Sequence, residues 1–328
     1  MPTVGSTIAL MSASTVNSFR LMLADGSVVH CSRSENAELF SLVLGGYGLF
    51  GIILDVDLQV VKNEMYLAQR VIIPTQQYVD IFEELVNRVT DIGMVYGRIS
   101  VAPDYFLKEA ILTIYRRNPS KDGKISPLNE HSRRGLTRTV FRGEVGSNYG
   151  KNLRWQLEKA LGGEAGSNVS RNQILNRSSK LLENQKLAST DILHEYFIPP
   201  KSMETFLEKC RTIIPKHNGD LLNITVRNVH RDSDSFLRYA DQNLFGLVML
   251  FHQHRTPNAE VQMKAMTTEL IDAVLSVGGR YYLPYRLHAT KEQFARAYPQ
   301  AQEFFALKRK YDSKEVFQNQ FYLKYGKQ

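Results

Sequence analysis

Four glycines stand within seven residues, Gly45, Gly46, Gly48 and Gly51, in the run LVLGGYGLFGIILDVDLQVV. Three of them, Gly46, Gly48 and Gly51, satisfy the G-x-G-x-x-G dinucleotide spacing. That fingerprint works between a preceding strand and a following helix, whose N-terminal N–H groups then point at the pyrophosphate. Here the order is reversed. Ala37, Leu39, Phe40, Val43 and Leu44 mark a short amphipathic helix before the glycines, and the chain from Leu54 to Val61 alternates as a half-buried strand after them. The dinucleotide reading is therefore rejected. What remains is a glycine turn where backbone can approach something flat or bulky, or a tight helix-to-strand connection that holds no ligand.

Other residues capable of chemistry are isolated. Cys31 and Cys210 lie far apart with no metal or redox spacing, which reads as two buried thiols in a reducing compartment. His252 and His254 share one face of a strand but lack a third ligand nearby, so no metal site is assigned. Eight basic residues between Arg116 and Arg142 face only Asp122 and Glu130, and Pro119, Gly123, Pro127 and Gly135 interrupt them. This segment reads as a long mobile loop without an apolar face. Phe141 is its only aromatic ring, so it lacks the stacking platforms of a nucleic-acid binder. An anionic substrate or membrane surface is the alternative partner for it.

The elements that must position any site follow from periodicity. With 328 residues, 43% hydrophobic and 23% charged, the chain has globular composition and room for two domains. It has no run of membrane-spanning length and no signal-peptide pattern at MPTVGSTIALMSAS, which points to the cytoplasm. Asp25-Gly26 marks a hairpin within residues 14–33. Beyond Met65 a plan occurs twice. YLAQRVIIP reads as a strand, followed by a helix capped by Thr75 and strands near Val95–Val101 and Ala110–Arg116. HEYFIP, a helix with Phe206, Cys210 and Ile213 on one face, and strands at Leu221–His230 and Phe245–His252 repeat it. Two β-α-β-β units predict one broad antiparallel sheet with helices on one side, in an α+β fold. Between the units, Tyr149–Leu161 reads as a helix carrying Trp155, followed by a polar, mobile stretch to Asp191.

The blocks LMLADGSVVHCS and NAELFSLVLGGYGLFGIILDVDL together resemble the FAD-binding (PCMH-type) domain of the vanillyl-alcohol-oxidase flavoproteins. HEYFIP, LNITVRNVHR, GGRYYLPYRLHATKEQFARAYP and YDSKEVFQNQF are similar to the sugar-1,4-lactone oxidases and decaprenylphosphoryl-ribose oxidases within that superfamily. The resemblance implies part of a PCMH-type FAD domain over 1–62, a cap domain with a large antiparallel sheet covered by helices over 63–280, and a return to the FAD domain over 281–328. It implies FAD as cofactor, with Gly45, Gly46, Gly48, Gly51, Ile52 and Asn319 along it. It also implies oxidation of a secondary alcohol of a sugar lactone, alditol or polyol by hydride transfer to flavin N5.

The family's catalytic glutamate and arginine fall on Glu195 and Arg227, and Tyr282 fits a position occupied by tyrosine in the decaprenyl enzymes. Tyr285 stands where both groups carry lysine, a departure that leaves the substrate open. Arg227 shares a strand face with Asn223 and Thr225, and Glu195 is expected opposite it on an adjacent strand. Arg286 and His288 are expected to be structural. The family's N-terminal FAD half, with its pyrophosphate loop, has no counterpart before Leu21. The alternative reading is thus a truncated, non-catalytic remnant or subunit that needs a separate N-terminal half.

Overall fold

Asp25 accepts a hydrogen bond from the Ser27 N–H at 2.9 Å, and Gly26 takes a φ of 85°. This turn folds strand β1 (Val16–Met22) against β2 (Val28–Ser32), as Asp25-Gly26 predicts. Strand β3 (Ile52–Leu58) pairs along the other side of β1, completing a small antiparallel sheet in the order β2-β1-β3. Helix α1 (Ala37–Val43) buries Leu39, Phe40 and Leu42, and Phe40 stacks on Phe19 of β1 at 5.3 Å. The computed structural model describes residues 13–118, 125, 127, 128, 134–161, 165–176 and 183–327, without the side chains of 134–137.

Strand β3 departs from its sequence pattern. Alternation predicts one buried face, yet Ile52, Ile53, Leu54 and Val56 are all exposed. An edge strand is paired on one side only, and no described layer lies over either face of this one. The apolar face of β1, by contrast, is covered: Phe19 and Leu21 are buried.

The second sheet contains strands β4 (Met65–Pro74), β5 (Ile92–Ile99), β6 (Glu109–Arg117), β7 (Asn168–Ser170), β8 (Ser189–Ile198), β9 (Asp220–Val229), β10 (Leu244–His254) and β11 (Arg280–Tyr281). Their order is β11-β8-β10-β9-β5-β6-β4-β7, every pairing antiparallel. The repeated plan is realised as two three-stranded units, β4-β5-β6 and β8-β9-β10, joined where β5 pairs with β9. In the first unit a helix, α2 (Tyr78–Phe82), runs into a π-helical turn at Glu83–Asn87. Thr75 does not cap it; its hydroxyl donates to Leu107 O at 3.1 Å instead.

Helices cover both faces of this sheet, where one face was expected. In the chain, α3 (Arg134–Arg142), α4 (Asn148–Ala160) and α5 (Arg171–Leu175) precede β8. Helices α6 (Met203–Lys216) and α7 (Pro257–Ser276) pack Phe206, Leu207, Met266 and Leu270 against Tyr196, Ile224, Val226 and Met249. On the opposite face Trp155 of α4 packs on Ile111 of β6. The reason lies in β6, whose residues Ala110–Tyr115 are buried on both sides and so need cover on both. Arg154 pairs with Glu144 and, within α4, with Glu158, while Glu158 pairing with Arg98 of β5 at 3.0 Å and Arg154 Nη1 donating to Leu222 O at 3.0 Å tie the helix to the sheet.

Two segments read as irregular carry structure. The basic run ends in helix α3, where Phe141 is buried against Leu222 and Leu250 with the Arg142 and Arg154 guanidinium groups over its ring, so it does possess an apolar anchor. Residues 119–124, 126 and 129–133 of that run lie outside the described residues. Within the polar stretch before Asp191, β7 and α5 form, joined by the Ser170 hydroxyl accepting from Gln173 N. Residues 162–164 and 177–182 again lie outside the description. Cys31 and Cys210 are free and buried. No helix among the described residues is long and apolar enough to cross a membrane.

Candidate functional site

Three neighbouring strands, β8, β10 and β9, set the site's geometry. Val248 of β10 pairs with Glu195 on one side and Thr225 on the other; two residues along, Gly246 pairs with Phe197 and Arg227. Alternation puts Glu195, Arg227, Gly246 and Val248 on one sheet face. Glu195 and Arg227 are therefore not on adjacent strands, as the sequence reading expected: β10 runs between them. They meet over Gly246, the residue of β10 that lies between their strands on this face. A Cβ there would stand 3.5 Å from Glu195 Oε1, 3.2 Å from Val229 Cγ2 and 3.4 Å from Phe197 Cε1. Over this bare stretch of backbone, Arg227 Nη1 donates to Glu195 Oε1 at 3.3 Å.

Both members of the pair are largely withdrawn from water, with side-chain exposures of 6% for Glu195 and 13% for Arg227. Burial pushes the Glu195 carboxyl above the usual carboxylate range, while the Arg227 charge and the Tyr285 hydroxyl oppose that rise. The Tyr285 hydroxyl donates to Glu195 Oε2 at 3.4 Å. The Tyr282 backbone N–H holds Glu195 O at 2.9 Å. Glu195 is thus fixed at both carboxylate oxygens and at its backbone. Arg227 Nε is buried and has no hydrogen-bond partner among the described residues. A buried guanidinium N–H without a partner is costly, so this donor is available to a bound group.

An aromatic wall stands beside the pair. The Tyr282 ring meets Tyr285 edge-on at 5.4 Å and Tyr239 at 5.5 Å, and Tyr239 stacks on Phe197 at 4.0 Å. Burial raises the Tyr282 and Tyr285 hydroxyl pKa values, and the neighbouring Glu195 charge raises both further.

The glycine turn carries Tyr47, which ties it to the C-terminal segment. Burial raises the Tyr47 hydroxyl pKa, and Tyr282 and Tyr239 add to the rise; the Tyr47 ring itself packs on Phe321 at 5.1 Å. Asn319 Nδ2 donates to Tyr47 O at 2.8 Å, while its side-chain oxygen caps helix α8 (Gln320–Tyr325) by accepting from Tyr322 N. Of the four glycines, Gly46 and Gly51 are required by the chain's own packing. A Cβ at Gly46 would collide with Leu42 O at 2.0 Å, and one at Gly51 with Met22 O at 2.6 Å. Gly45 and Gly48 have positive φ and open space where a Cβ would be. Ile52 begins the exposed strand β3.

The structure therefore brings Glu195, Arg227 and Tyr282 together and ties Asn319 to the glycine turn. Sequence reasoning missed Gly246, Tyr47, Tyr239 and the contact made by Tyr285. One signal was present: a glycine inside the apolar strand LFGLVMLF marks a close approach. His252 is committed elsewhere, to Asp191 at 2.9 Å, and Asp191 also pairs with Arg142. No group of His, Cys, Asp and Glu among the described residues could hold a metal ion.

Two comparisons with known proteins bear on this geometry. The family described as D-arabinono-1,4-lactone oxidase matches residues 139–325, more than half of the chain, including Glu195, Arg227, Gly246, Tyr282 and Asn319. An FAD-dependent monooxygenase of Arthrobotrys oligospora is 35% identical over 77 residues, 24% of this chain and 15% of that protein. The likeness thus spans only a small part of that relative's length.

Proposed function

This chain belongs to the D-arabinono-1,4-lactone oxidase family, and we propose that it works as an FAD-dependent oxidoreductase on a secondary alcohol of a sugar lactone, alditol or related polyol. The observation that carries this reading is the buried Glu195–Arg227 pair, meeting across Gly246 with Tyr285 on the second carboxylate oxygen. A surface ion pair would have none of these supports.

The residues present fit the flavin end of FAD. Arg227 offers a buried, unpartnered N–H beside the wall of Tyr282 and Tyr239, suited to an electron-rich ring that gains negative charge. Gly45, Gly48 and the Tyr47 backbone held by Asn319 would lie along it. When bound, FAD supplies the hydride acceptor. The chain's own residues do the rest. Glu195 accepts the hydrogen of the substrate hydroxyl and so orients the carbinol carbon. Arg227 favours the ionised carboxylate that this task needs, and Tyr285 fixes Oε2 so that the carboxylate keeps one orientation. In this reading the FAD-binding part adjoins the substrate-facing sheet near residues 62 and 280.

The test is to add FAD to the purified protein, follow flavin fluorescence, and then add D-arabinono-1,4-lactone or a set of alditols without oxygen. The reading predicts saturable FAD binding and loss of the oxidised-flavin absorbance with one of these substrate classes. Absorbance that stays unchanged with every lactone and alditol contradicts it.

A further inference from the structure

Behind Glu195, on the core side of the sheet, lies a string of buried polar side chains that the proposed chemistry has not used. Tyr196 and His194 face α7, on the opposite face of β8 from Glu195. The Tyr196 hydroxyl lies 3.2 Å from His194 Nδ1, and His194 Nε2 lies 3.4 Å from Thr267 Oγ1. Thr267 Oγ1 is 3.0 Å from His288 Nδ1, and His288 Nε2 is 3.0 Å from Glu260 Oε1. Glu260 is half exposed, with Arg286 paired to its other oxygen.

These contacts admit a head-to-tail arrangement in which every donor points outward: Tyr196 O–H to His194 Nδ1, His194 Nε2–H to Thr267 Oγ1, Thr267 O–H to His288 Nδ1, and His288 Nε2–H to Glu260. It uses both imidazoles in their neutral form. Burial, the largest cause, lowers both histidine pKa values, His194 to about 3, with Arg286 lowering each and Lys264 lowering His288, while Glu260 opposes the fall at His288. Thr267 has a second acceptor, Met263 O at 2.6 Å, so its hydroxyl can swing between the two.

The inner end reaches the candidate site. One small cavity of about 20 Å³ is lined at once by Glu195, Tyr282 and Tyr285 and by His194, Tyr196 and Thr267. It lies beside Glu195, just past the point where β11 stops pairing with β8 at Tyr196. Such a volume accommodates about one water molecule, and the polar lining supplies the partners that water requires.

We propose that Tyr196, His194, Thr267, His288 and Glu260 form a proton relay that carries the substrate hydroxyl proton from Glu195, through water in this cavity, to solvent at Glu260. The inference rests on the oxidase reading above. Each hop breaks one O–H or N–H bond and forms the next: from carboxyl to water, water to Tyr196, Tyr196 to His194 Nδ1, His194 Nε2 to Thr267, Thr267 to His288 Nδ1, and His288 Nε2 to Glu260. Glu260, half exposed, passes the last proton to bulk water; each group then holds its original number of protons, with His194 and His288 left as Nδ1–H tautomers that return to Nε2–H before the next turnover. The five act on the reaction only through Glu195, so they are positioning residues for its proton.

The test needs no flavin. In ¹⁵N-labelled protein at neutral pH, ring nitrogen shifts report the tautomers, and magnetisation transfer from water reports exchange of the His194 Nε2 proton. The relay predicts neutral Nε2–H tautomers at both histidines and water exchange at His194 despite its burial. Thr267→Val should slow that exchange at least tenfold, and Thr267→Ser should preserve it. If Thr267→Val does not fold, Glu260→Gln at the exposed end should slow exchange by a similar factor. Exchange at His194 that is unaffected by Thr267→Val or, where that variant does not fold, by Glu260→Gln, or an Nδ1–H tautomer at His194 in the resting protein, overturns the relay. A protein with an intact relay that fails to bleach flavin would instead count against the oxidase reading alone.

Discussion

Replacing Arg227 by alanine should expose the cost of keeping Glu195 where it is. Removing one member of a buried ion pair typically costs about 3–5 kcal/mol. Here the contact is 3.3 Å, and Arg227 keeps some solvent exposure, so the low end, about 3 kcal/mol, is expected near pH 8. The loss should depend on pH. Burial already holds the Glu195 carboxyl above its ordinary range, and without Arg227 it must rise further. A raised folded-state pKa favours the native state at acid pH, where the group is protonated. That advantage is lost as pH rises from the ordinary carboxylate range through the folded value, with a slope of about 1.4 kcal/mol per pH unit. The variant should therefore lie closer to wild type at pH 5 than at pH 8. Adding Glu195→Gln removes the titrating group and should abolish the difference. Urea unfolding followed by circular dichroism at the two pH values measures all three proteins. An equal loss at both pH values, or a double variant as pH-dependent as Arg227→Ala, would refute the reasoning.

Other perturbations give separate checks. At Gly246, neighbours at 3.2–3.5 Å leave little room for one methyl group. Gly246→Ala should cost less than Gly246→Val, which overpacks the strand crossing by about 1–3 kcal/mol in urea unfolding. Lys308 and Asp312 form a fully buried pair at 2.7 Å, and Asp312 also accepts from Val316 N and Phe317 N. Lys308→Ala should cost about 3–5 kcal/mol, whereas Lys310→Ala, which breaks an exposed pair with Glu38, should cost about 0–1 kcal/mol by the same assay. Burial raises Glu144 to about 7, against the lowering charges of Arg154 and Arg98. The native state therefore loses stability as pH rises from 5 through 7, and Glu144→Gln should flatten that part of the denaturation profile.

The large sheet was legible because its strands and helices repeat with clean periodicity, and because Pro74 and Pro199 punctuate the same step in both units. Strand order was not legible. Nothing local in HEYFIP or LNITVRNV states that LFGLVMLF runs between them, since pairing across β10 depends on contacts far apart in sequence. Local pattern also failed at β3, where alternation describes which residues could be covered, not whether any layer covers them. At the site, Glu195 and Arg227 stood out through family motifs. The glycine that lies between them, and the tyrosine that fixes Glu195 Oε2, become visible only when three strands and the loop after β11 are assembled. His288 read as a bystander for the same reason: its partners Thr267 and Glu260 are 21 and 28 residues away on α7.

The central claim is that the Glu195–Arg227 pair faces substrate and flavin, and turnover in the FAD-loaded protein tests it most directly. With a lactone or alditol that reduces the wild-type flavin, Arg227→Ala should lower kcat more than tenfold while circular dichroism shows an intact fold, because a charge placed where negative charge develops is lost. A folded Arg227→Ala protein with wild-type kcat and KM would contradict the account.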